Sequence, residues 1–203
     1  MLWSDKEFMK KQVPVEKGKS YEIEIHTLGT SGEGVGRYEN FTVFVPKALP
    51  GEKVKAVITE VKKSYAKGQL TEIITKSADR VQPVCSIYDR CGGCQLQHLS
   101  YMAQLKAKRQ QVIDAITRIG GLKDIFVAPT LGAASPWNYR NKMQFPIGCE
   151  RGKTVIGCFA QGSHEIIDTR DCHIQKEGNN EIVNAVREII TSLHIPVYHE
   201  DKH

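Results

Sequence analysis

CSIYDRCGGCQLQHLSY, residues 85–101, is the stretch from which the rest of the chain is read. Three cysteines, Cys85, Cys91 and Cys94, fall within ten residues, and Gly92 and Gly93 separate the last two. Thiolates that share one metal centre must converge while the backbone between them turns sharply. Glycine permits this through positive φ and close backbone approach. A four-thiolate site needs one more cysteine, and Cys172, in DTRDCHIQ, is the candidate. Zinc and an iron–sulfur cluster both suit four thiolates. Zinc ribbons use two CxxC knuckles. One CxxC with a cysteine six positions before it and a remote fourth is the arrangement of many iron–sulfur proteins. Spacing alone leaves the cluster, zinc, and plain buried or redox cysteines open.

Working outward, the composition bounds the function classes. The 203 residues suffice for one or two small domains with proper cores. A net charge of +5 and a pI of about 8.8 are compatible with a nucleic-acid partner without demanding one. No apolar run reaches membrane-spanning length, and MLWSDKEFMKKQ lacks the apolar core of a signal peptide. The expectation is a cytoplasmic monomer with no membrane partner. Without secretion, six cysteines favour a metal site over disulfides.

Upstream of the cysteine loop the pattern is β-rich. Residues 1–14, with Lys10 and Lys11, read as a flexible tail. Residues 20–27 alternate, with Tyr21, Ile23 and Ile25 on one face. GTSGEGVGRYEN reads as a glycine-dense turn region and not as a phosphate loop, since no GK[ST] closes it. Residues 41–45, 54–61 and 68–75 read as strands, with PKALPGE as a turn. Short strands between glycine and proline turns predict a small β-barrel over residues 15–79. Lys62, Lys63, Tyr65 and Lys67 lie together without an acid among them. Lysines can neutralise phosphates and tyrosine can stack on a base, so this is either an RNA contact or a solvated hairpin tip. Arg37 and Tyr38 are a weaker pair of the same kind.

Downstream, SADRVQPVC reads as an extended connection, and Tyr88 and His98 as packing residues of the loop. Residues 100–119 carry a helical stripe of Leu105, Val112, Ile116 and Ile119, closed by Gly120 and Gly121, with Lys106, Lys108, Arg109 and Arg118 outside. The cluster loop and this helix make a segment 80–121. In NYRNKMQFPIG, Tyr139, Asn141, Met143, Phe145 and Ile147 alternate with Arg140, Lys142 and Gln144. As a strand, it would put the last three on one polar face able to grip phosphates. Residues 154–160 and 164–169 read as strands, Cys149 and Cys158 as small core residues. Residues 179–193 read as a helix with Ile182, Val183, Val186, Ile189, Ile190 and Leu193 inward. Residues 122–203 are thus part of an α+β central domain.

These segments in order resemble the RNA 5-methyluridine methyltransferases, above all CGGCQLQHLSYxxQLxxK and YRNKMQ. GEGVGRYENFTVFVPKALPGE and VKKSYAKGQL resemble a TRAM domain, an OB-like RNA-binding barrel that the family carries at its N-terminus. The resemblance implies that Cys85, Cys91, Cys94 and Cys172 hold a [4Fe–4S] cluster. It also implies that the parent protein transfers methyl from S-adenosylmethionine to C5 of uridine in RNA. The family tips Arg140, Lys142 and Gln144 towards RNA. The wording of YRNKMQFPIG and GSHEIIDTRDC is closer to bacterial 23S ribosomal RNA members than to the tRNA-directed ones. The family's S-adenosylmethionine site and catalytic cysteine belong to a Rossmann-like domain whose motifs are not found here. The expectation is therefore a non-catalytic N-terminal portion of a longer enzyme. A self-standing RNA-binding iron–sulfur or zinc protein is the alternative.

Overall fold

A computed structural model describes residues 13–198. The expected tail at residues 1–14 lies almost wholly outside them. The chain divides after Ala78 into two compact units.

The first unit is a closed five-stranded barrel. Its strands are β1 (Ser20–Leu28), β2 (Gly34–Tyr38), β3 (Phe41–Val45), β4 (Lys53–Val61) and β5 (Tyr65–Thr75), in the order β1-β2-β3-β5-β4. All neighbours are antiparallel except β3 and β5, which run parallel. Period-two alternation does the folding work. Ile23 and Ile25, Val43 and Val45, and Val54, Ala56 and Ile58 point inward and are essentially sealed from solvent. Each buried Val or Ile contributes about 1.5–3 kcal/mol of apolar burial. Register shifts along the β4–β5 pair bend these two long strands so that the sheet can close.

β2 lies inside the stretch read as a turn, and the reason is its glycines. A Cβ on Gly36 would lie 2.3 Å from the Glu24 carbonyl oxygen, and one on Gly34 2.6 Å from that of Ala48. These glycines permit close strand approach and do not mark a turn. The turn PKALPGE is itself part of the core. Ala48 and Leu49 are buried, and buried Glu52 accepts from the Leu49 N–H at 2.8 Å and the Ser77 N–H at 3.3 Å.

The second unit mixes short helices and strands. Helix α1 (Tyr101–Asp114) begins at Ser100, whose hydroxyl accepts from the Ala103 N–H, and runs on into a π-helical turn, Ala115–Ile119. Gly121, at φ +66°, terminates it. The expected inward stripe is only partly inward. Val112 is 48% and Ile119 87% exposed, whereas Ala103 is buried. Arg109 is not on the outer face: it is half-buried, and its Nε donates to the Val127 carbonyl at 2.8 Å.

The strand expected over residues 139–147 does not form. Arg140 makes a single parallel bridge to Gln175, and regular pairing starts only at β6 (Ile147–Glu150), immediately after Pro146. Proline cannot donate to a ladder, so alternation before it had no sheet to join. β6, β7 (Lys153–Phe159) and β8 (Ile166–Asp168) form a three-stranded antiparallel sheet. Helix α2 (Glu177–Ser192) packs on β7 with Arg187 as its buried residue, and the expected apolar stripe is only partly covered. Arg187 is buried and pairs with Asp168; its Nη2 also donates to Thr169 O at 2.9 Å and Ile156 O at 3.2 Å. Val183 and Ile190 are half-buried, but Ile182, Val186, Ile189 and Leu193 are exposed.

Candidate metal centre and nucleic-acid surfaces

The cysteine loop is shaped by its own backbone. The Tyr88 N–H donates to Cys85 O at 3.1 Å and the Cys91 N–H to Ile87 O at 2.9 Å, coiling the segment between the first two thiols. The loop is then tied to the end of β7: the Gly92 N–H donates to Phe159 O at 2.9 Å, and Cys91 bridges Ala160. A Cβ on Gly92 would sit 2.9 Å from that same oxygen, so the close approach requires glycine. The positive φ expected of Gly92 and Gly93 is absent; close approach accounts for Gly92, whereas a Cβ on Gly93 would meet only ordinary contacts. Buried Tyr88 donates to Gln95 O at 2.7 Å and meets His98 Nδ1, packing the loop from beneath. Burial raises its phenol to about 12, so it stays protonated.

Cys172 reaches the same place from the other end of the unit. Its N–H donates to Asn180 Oδ1 at 3.0 Å at the start of α2, and its carbonyl accepts from Gln175 N at 3.2 Å. Cys85, Cys91, Cys94 and Cys172 all line one pocket, with Tyr88, Met143 and Ile174 among its apolar walls. The residues brought together thus include every cysteine selected from the sequence. They also include one that was not: Cys158, on β7, lines the pocket as well. It is no core residue, and Cys149 is exposed. Cys158 escaped notice because a strand cysteine looks like any small apolar residue. Only the tie between Gly92 and Phe159 brings it under the loop.

The thiols differ in character. Burial pushes Cys85 and Cys94 up, and the neighbouring cysteines add to the effect. Cys91 is lowered to about 6, first because Cys158 hydrogen-bonds to its sulfur and then because the Gly93 N–H, 3.4 Å away, also donates to it. Cys158 is correspondingly raised, by holding its proton against Cys91 and by burial. Among the described residues no three His, Cys, Asp or Glu side chains close to the spacing of a single ion.

The basic stretch of the barrel forms a patch of its own. Tyr65 and Phe44, on adjacent strands, alternate with buried residues and so face outward, edge to face at 5.4 Å. Lys62, Lys63 and Lys67 are exposed beside them. The sequence reading missed Glu60, just outside the stretch, which pairs with Lys62 at 2.6 Å and Lys67 at 2.8 Å. Those two lysines hold its carboxyl down at about 2. In the second unit Lys142 and Gln144 are exposed, but Arg140 is half-buried, its Nη1 3.6 Å from Met143 Sδ. They share no strand face.

Comparison with known proteins agrees with this layout. Residues 14–71 match the TRAM domain. An uncharacterized RNA methyltransferase of Clostridium tetani is 49% identical over 195 residues, 96% of this chain, and one of Halalkalibacterium halodurans is 44% identical over 194 residues. The chain spans 42% of the length of each of these relatives. The crystal structure of Pyrococcus abyssi tRNA (uracil-54, C5)-methyltransferase in complex with S-adenosyl-L-homocysteine superposes with a TM-score of 0.59. That alignment covers 87% of this chain and 38% of that one, at 24% identity, and is a likeness of fold.

Proposed function

We propose that this chain, homologous over nearly its whole length to proteins named RNA methyltransferase, is the RNA-binding and [4Fe–4S]-binding N-terminal portion of an S-adenosylmethionine-dependent uracil-C5 methyltransferase of 23S ribosomal RNA. The observation that carries the reading is the gathering of Cys85, Cys91, Cys94 and Cys172 around one pocket, although the last lies far along the chain. The donor set fits the group. All four are thiols, the walls between them are largely apolar, and the Gly93 N–H is aimed at a sulfur. A cluster places each thiolate on a different iron, so the four need not close on one point. Bound there, it would cross-link the loop to the segment before α2 and contribute folding free energy directly.

On the same reading the TRAM barrel grips RNA through Lys62, Lys63 and Lys67 on phosphates and through Tyr65, with Phe44 beside it, on a base. Lys142 and Gln144 add exposed polar groups to the second unit, and Arg140 braces their segment. Methyl transfer itself belongs to the part of the relatives' length that this chain does not span. The preference for ribosomal over transfer RNA rests on the wording of residues 139–148 and 162–172.

Anaerobic purification followed by iron and sulfide analysis tests the cluster. About four irons per chain with matching sulfide and broad visible absorption is the expected result. A colourless, zinc-loaded protein overturns it. Methylation of 23S RNA against tRNA by the longer protein that contains this chain tests the substrate.

A further inference from the structure

Five of the chain's six cysteines line the pocket, one more than four irons require. Cys158 is not placed at random among them. Its sulfur is in hydrogen-bonding contact with that of Cys91. Both sulfurs cover the same face of Gly93: a Cβ built there would touch Cys91 Sγ at 3.4 Å and Cys158 Sγ at 3.5 Å, and apart from the adjoining residues no other heavy atom lies within 4 Å. The two thiols therefore arrive at one place from opposite sides, Cys91 from the loop and Cys158 from β7. Their backbones are locked together next to that place by the Gly92 N–H to Phe159 O bond and the Cys91–Ala160 bridge.

We propose that Cys91 and Cys158 are alternative thiolate ligands for one corner of the metal group, either of which suffices to hold it. One sulfur binds and the other stays beside it as a neutral thiol. The inference rests on the cluster reading above and adds to it a fifth, interchangeable ligand. Cys85 has no such neighbour, because no second cysteine shares its position.

The test compares the wild-type chain with Cys91→Ser, Cys158→Ser, the double variant and Cys85→Ser. Each is purified anaerobically, reconstituted with ferrous iron and sulfide, and analysed for both. The two single variants at the paired position should match the wild-type iron content. The double variant and Cys85→Ser should lose iron. Equal loss in Cys91→Ser and in the double variant would overturn the proposal, as would loss in Cys158→Ser alone. A second readout is independent of yield: alkylation of the loaded proteins followed by mass spectrometry. Cys158 should react in the wild type and become protected in Cys91→Ser; reaction in both would count against exchange. Far-UV circular dichroism of the metal-free variants separates ligand loss from misfolding. If the wild type takes up zinc and no sulfide, the cluster reading fails while the same comparison on zinc still decides the exchange. If it takes up neither metal, both fall.

Discussion

At the scale of single residues, Glu60 sets how basic the barrel surface is. It is ionised and holds two of the three lysines proposed to meet phosphate. Because its pKa is depressed to about 2, its pairing is complete above the ordinary carboxylate range and is lost only as pH falls through about 2. RNA affinity should therefore show no step from this group between pH 5 and 8. Glu60→Gln should bind single-stranded RNA several-fold more tightly at low salt. It should also steepen the salt dependence by about one to two counterions. Fluorescence titration at stepped salt concentrations reads both, and an unchanged slope would remove Lys62 and Lys67 from the interface. Arg187 is a different kind of residue, a buried cation closing α2 onto the sheet. Arg187→Met keeps the volume but strands the Thr169 carbonyl, and it leaves the Ile156 carbonyl with only the Thr169 N–H and the Asp168 carboxylate with only the Ile156 N–H. The cost should be about 2–4 kcal/mol by urea unfolding, towards the lower end because the Asp168 side chain is 38% exposed.

At the scale of elements, alternation carried four of the five barrel strands. β1, β4 and β5 set buried Val, Ile or Ala against more exposed polar residues, β3 sets buried Val43 and Val45 against half-buried Thr42 and Phe44, and pleat periodicity identifies such segments. β2 escaped because its inward positions, Gly34 and Gly36, have no side chain to register as apolar. Gly36→Ala tests this account. Its Cβ would press on the Glu24 backbone oxygen at 2.3 Å and on Ile23 Cγ2 at 2.5 Å, so β1 and β2 must separate. The expected loss is about 1–3 kcal/mol, read as a lower urea midpoint for the barrel signals with the second unit unaffected. The opposite error occurred at residues 139–147, where alternation was present but Pro146 kept the segment out of the sheet. In α2 the periodicity was real, yet much of the apolar stripe is uncovered among the described residues, and the helix residue buried most deeply is an arginine. Periodicity reports which face is apolar, not what lies against it.

At the scale of the whole molecule, the site was half legible. The CGGC loop is local, and its glycine spacing shows in any reading of the chain. Cys172 was selected as a missing fourth thiol and by resemblance, and the fold brings it to the loop. Cys158 could not have been found, because its role depends on a bridge between residues far apart in sequence. That dependence on distant ligands leads to the last prediction. The barrel has its own closed sheet and sealed core. The second unit has short strands, a π-helical turn and many exposed apolar side chains. Such a unit draws a large share of its stability from any metal group that joins residues 85–94 to Cys172. Chelation under anaerobic conditions, or Cys172→Ser, should therefore lower the second unit's unfolding transition and leave the barrel's in place. Hydrogen exchange should quicken at residues 85–99 and 166–175 while residues 20–75 stay protected. Uniform loss of protection would show that the two units unfold as one, and unchanged exchange at residues 85–99 would show that the metal group staples nothing.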